Sequence, residues 1–161
     1  MKKLTYISSI FLLGLFLVSC DHSENDLVPE FLDGTQYGVI LHVDVSSATT
    51  ISIADIATSN VAFEISIEGD KRPVASVTVN KIFVGADGGS SAEMQQTSVS
   101  SFPSTVSLSV NDLVNGIPDL STDSLAAGDG FQIKFTITYA DGGVVTRYGT
   151  RLNPNFDVKF E

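Results

Sequence analysis

The residues able to do chemistry are few and scattered. The chain holds one thiol, Cys20, and two imidazoles, His22 and His42. Nucleophilic catalysis needs a base beside a serine, threonine or cysteine. His22 lies in an acidic stretch just after Cys20. That leaves His42, which occupies the polar parity of an alternating segment and reads as surface decoration. Carboxylates can work without histidine, as paired acids across a glycosidic bond. Asp112, Asp119, Asp123 and Asp129 fall in one loop-rich region and come nearest to such a set. The same acids could offer oxygens to Ca²⁺, but the alternating run of ligands of an EF-hand loop is missing. Turn chemistry accounts for Asp129-Gly130 and Asp141-Gly142. Exposed aromatic rings make platforms for sugars, yet the chain has no tryptophan. Tyr37 and Tyr139 share parity with core residues, leaving Tyr148 and Phe102, and Phe102 before Pro103 reads as a plug at the core edge. No catalytic residue, metal site or cofactor is expected.

Cys20 has a different setting. Lys2 and Lys3 open the chain, an apolar run covers 10–18, and the small Ser19 follows. A basic start, an apolar stretch of roughly 7–15 residues and a small-residue end describe a secretory signal. The run falls short of the roughly 20 residues of a membrane span. With cysteine next, Leu17-Val18-Ser19-Cys20 resembles the lipobox of bacterial lipoproteins. The resemblance implies a diacylglyceryl thioether on Cys20, cleavage between Ser19 and Cys20, and acylation of the new amine. At about 0.8 kcal/mol per buried CH₂, several acyl chains make an effectively permanent anchor. Asp21, Glu24 and Asp26 follow at spaced positions. They resemble the surface-export signal of Bacteroidota lipoproteins; a solvated linker is the alternative.

Removing residues 1–20 takes away two lysines and no acid, leaving 141 residues with a net charge of −12. That length suffices for one domain with a core. Such a charge is repelled by nucleic acid and anionic membranes, so affinity for phosphate backbones is not expected. With Cys20 consumed by lipid, no disulfide is possible within the mature monomer, and the core alone must hold the domain.

The elements needed to position anything are strands. After a tether at 20–34, acidic and broken by Pro29, period-two alternation begins at Tyr37. Tyr37, Val39, Leu41, Val43 and Val45 share one face; Val61, Phe63, Ile65 and Ile67 share another. Val77 and Val79 start a third, where Lys81 or Ile82 breaks the parity. A bulge near Asn80-Lys81 would re-aim Ile82 and Val84, which marks 74–84 as the expected edge strand. The segment 85–101 reads as a long connection, either functional or mobile. Val106, Leu108 and Val110 alternate, and 111–116 predicts one helical turn capped by Asn111 and stopped by Gly116. The clearest strand has Phe131, Ile133, Phe135, Ile137 and Tyr139 inward. It ends in the hairpin signal Asp141-Gly142-Gly143, and 144–148 should return antiparallel. Residues 156–160 alternate once more. About seven strands predict an all-β, antiparallel sandwich, with a closed barrel as the lesser option.

Beyond its lipobox, the chain is similar to small Bacteroidota lipoproteins that accompany outer-membrane uptake systems of the starch-utilisation type. The matching stretches are 61–68 (VAFEISIE), 75–79 (ASVTV) and 128–142 (GDGFQIKFTITYADG). The resemblance implies an immunoglobulin-like sandwich over 35–161, following a signal at 1–19 and a lipidated tether at 20–34. It also implies a non-catalytic accessory or binding module, held at the outer membrane through lipid on Cys20. An outer-membrane protein is its expected partner. A stand-alone carbohydrate-binding lipoprotein and a carboxylate-based hydrolase are the alternatives.

Overall fold

The computed structural model describes residues 39–69, 72–146 and 153–161. The lipobox at Leu17, Val18, Ser19 and Cys20, the acids Asp21, Glu24 and Asp26, His22, Tyr37 and Tyr148 lie outside them.

The fold is an all-β, immunoglobulin-like sandwich of two sheets that do not close into a barrel. In chain order the strands are β1 (Ile40–Val45), β2 (Thr50–Ile51), β3 (Asn60–Glu68), β4 (Val74–Val84), β5 (Met94–Val99), β6 (Ser104–Ser109), β7 (Gly130–Tyr139), β8 (Val144–Val145) and β9 (Phe156–Phe160). One sheet runs β1-β3-β6; the other runs β2-β9-β7-β4-β5, with β8 also on β7. Among the described residues all pairs are antiparallel except the two-residue contact of β2 with β9.

Alternation puts the core where the sequence predicts it. Phe131, Ile133, Phe135, Ile137 and Tyr139 of β7 are buried, as are Val61, Phe63 and Ile65 of β3. The sheets meet through rings: Phe63 stands edge-on to Phe135, with centroids 5.8 Å apart, and to Phe156 at 5.4 Å. Such edge contacts place a positive ring rim against a negative face. The hairpin after β7 closes as expected: the Gly142 N–H donates to the Tyr139 carbonyl, and Gly142 at φ +87° turns the chain so that the Gly143 carbonyl accepts from the Tyr139 N–H.

Four expectations need correction. β4 is no edge, since β7 flanks it on one side and β5 on the other. Its parity does not break either: Val77, Val79 and Lys81 all point into the core. The register shift opposite Val79 and Asn80 comes from an extra residue, Gln96, in β5, while a second shift leaves Ala75 of β4 unpaired against β7. The segment 85–101 contains β5, whose polar sequence and bulge hide its period. Finally, the helical turn α1 (Val110–Val114) starts earlier than predicted, capped by Ser109, whose hydroxyl accepts from the Asp112 N–H.

Candidate functional site

The residues singled out for chemistry do not converge. His42 stands half-exposed on β1, its Nε2 3.0 Å from Oε2 of Glu68 on the neighbouring strand. Asp112 closes the capping box of α1. Its Oδ2 accepts from the Ser109 N–H at 2.8 Å and from the Ser109 hydroxyl at 2.6 Å. Those bonds, and more weakly the Lys81 charge, hold its carboxyl below the usual carboxylate range. Asp129 is buried and accepts from the Ala86 N–H at 2.9 Å and the Ala126 N–H at 2.8 Å, tying two loops together. Asp119 takes φ +59° in the crossing after α1, and Asp123 sits in a 3-10 turn at Thr122–Ser124. Among the described residues no three acids or histidines come together as a metal site.

Asp141 is engaged too. Arg72 grips its carboxylate with Nε and Nη2, both at 2.8 Å, and lies 3.9 Å over the Tyr139 ring. The guanidinium hydrogen bond pulls the Asp141 carboxyl below its usual range. This staple fastens the hairpin tip to the segment leading into β4.

The most unusual polar group is one that the sequence marks only as a break in the alternation of β4. Lys81 is only 1% exposed, between Val79 and Phe83 on the core face of β4. Its Nζ donates to the Asp112 carbonyl at 2.6 Å and the Asn115 carbonyl at 2.7 Å. These belong to the end of α1, where carbonyls lack helical partners. Burial pushes the ammonium pKa down, partly offset by the Asp112 charge. The available signal was an apolar-parity lysine in an otherwise regular strand.

Among the described residues, clefts open at the α1 end of the sandwich, opposite the end where Ile40 pairs with Glu68. One, of about 380 Å³, lies among Ile53, Ile56, Leu125, Asn111, Thr122 and Asp123. The other, of about 330 Å³, lies on the outer face over Gly130, rimmed by Val84, Gln132, Asp157 and Lys159. Gly130 is required there by its neighbour strand, because a Cβ would sit 2.6 Å from the Val158 carbonyl oxygen. Both clefts offer hydrogen-bonding groups beside apolar walls, an arrangement suited to binding. Phe102, a candidate platform, packs part-buried against the core.

No family model matches the chain, and no curated protein matches it. Among solved structures it is similar to Bacteroides uniformis beta-glucuronidase 2 covalently bound to cyclophellitol-6-carboxylate aziridine. That similarity has 10% identity and a TM-score of 0.30, over 75% of this chain and 13% of the other. The chain thus spans a small fraction of that protein's length.

Proposed function

We propose that the protein is a lipid-anchored, non-catalytic binding or accessory module of a cell-surface complex at the outer membrane. The observation that carries this reading is Leu17-Val18-Ser19-Cys20, placed directly after an apolar run and holding the only thiol of the chain. The structure supports the non-catalytic half. Asp112 and Asp129, two of the acids a carboxylate hydrolase would draw on, are committed to backbone N–H groups. A stand-alone carbohydrate-binding role is the second reading. It is favoured by the cleft over Gly130, whose rim offers an amide, a carboxylate and an ammonium from Gln132, Asp157 and Lys159.

Metabolic labelling with a palmitate analogue in the native host tests the anchor. Wild type should carry label and Cys20→Ala should lose it. Undiminished label on the variant would refute lipidation at Cys20. Binding of a soluble glycan by the purified protein, lost in Asp157→Ala, would favour the second reading.

A further inference from the structure

We propose that the free edge of β6 is a self-association surface, where two copies pair β6 against β6, antiparallel, and join their three-stranded sheets into one. The partner is a second copy of this chain. The inference rests on the proposed function only for the lipid that holds both copies in one membrane.

An edge strand presents a row of unpaired N–H and C=O groups, and natural sheets blunt such rows with short strands, bulges, charges or proline. The other edges here carry these devices. β2 and β8 have two residues each. β5 is bulged at Gln96. β1 carries His42 and Asp44. β6 has none of them. It runs Ser104–Ser109 without charge or proline, pairs in unshifted register with β3, and among the described residues pairs with no other strand.

Charge favours a second copy as the occupant. The chain has a net charge of −10, yet from Met94 to Asn111 it carries no charged side chain. That segment holds β5 and β6, the edges where both sheets end on one flank. Two acidic copies repel over most approaches, whereas this flank brings no acid against acid. Antiparallel self-pairing places equivalent faces opposite each other. Buried Val106 and Leu108 then meet their own kind, and so do exposed Thr105 and Ser107. No like charges face each other across the new pair, which would destabilise it. The nearest acid on the outer face, Glu64, lies one strand back, opposite Thr105. Two such residues would stand about three strand spacings apart, roughly 14 Å, beyond the Debye length of about 8 Å at physiological salt. The contact is isologous and closes on itself, so it gives dimers rather than fibres. One strand pair is a small interface, and confinement on a membrane raises the effective concentration it needs.

The test uses the mature chain extracted from membranes in detergent, with mass measured by sedimentation over a concentration series. Wild type should approach twice the monomer mass. Thr105→Lys on β6 should remain monomeric with an unchanged melting temperature, and His42→Lys on β1 should dimerise like wild type. A Thr105→Lys that dimerises equally overturns the proposal, and so does a wild type that stays monomeric throughout when its Ser107→Cys form also gives no oxidised dimer band in native membranes. In native membranes, Ser107→Cys should give an oxidised band at twice the chain mass. A cross-link to a different protein instead would overturn self-pairing. A lipidated chain monomeric by both measures would defeat the pairing and leave the anchor standing; an unlipidated dimer would do the reverse.

Discussion

A lysine normally keeps its ammonium in water, and Lys81 does not. Its aliphatic stem fills a core position of β4, and its Nζ ties the far end of that strand to the Asp112 and Asn115 carbonyls. The bond therefore joins one sheet to the helical turn that follows the other. Lys81→Met keeps the apolar volume but leaves both carbonyls without their donor, which should cost about 1–3 kcal/mol. The pH dependence has a definite sign. Burial lowers the folded pKa of Lys81 below its unfolded value of 10.5. Between those two values the unfolded chain binds more protons, so this group's contribution to stability rises with pH. Tyr139, raised above 10.0 by burial, acts in the opposite direction. The comparison with Lys81→Met cancels that term. Urea unfolding should show the variant falling further behind wild type as pH rises from neutral toward 10.5; a gap that narrows would contradict the assignment. The sequence shows Lys81 at core parity but not its acceptors, because those come from a helix end some thirty residues away.

Among elements, β7 is the one most legible in the sequence. Its five inward residues are large and apolar, its outward ones polar, and its turn residues are those a tight hairpin needs. Phe135→Ala should therefore cost about 3–5 kcal/mol through the cavity it leaves against Phe63 and Phe156. Thr136→Ala, on the outer face beside Asn80, should move the melting temperature little. Equal shifts for the two variants would overturn the strand's orientation. β5 was illegible for a physical reason. Met94 and Val99 are its only large apolar residues, and Gln96 adds an unpaired position between them, so no period survives. Missing β5 also misplaced the edge, because β4 can be central only if a strand lies beyond it. Asp141 is legible as a turn residue from Gly142 beside it, but Asp129-Gly130 is not a turn: Gly130 opens β7, and the turn before it falls at Gly128, with φ +95°. The backbone donors of Asp129 are not legible either, since Ala86 and Asp129 meet only once the sheet has formed.

For the whole molecule, the sandwich and the proposed anchor answer different questions. Two sheets packed through Phe63, Phe135 and Phe156 give a rigid support with loops and clefts at one end. The fold itself assigns no chemistry, since sandwiches host many functions. The proposed role instead depends on residues 17–20, and hence on what is attached to Cys20 in the native cell. Intact mass spectrometry of the protein extracted from native membranes measures that directly. The expected mass is that of a chain beginning at Cys20, heavier than residues 20–161 by a diacylglyceryl group and an amide-linked acyl chain. An unmodified mass, or a chain beginning at any other residue, would contradict it.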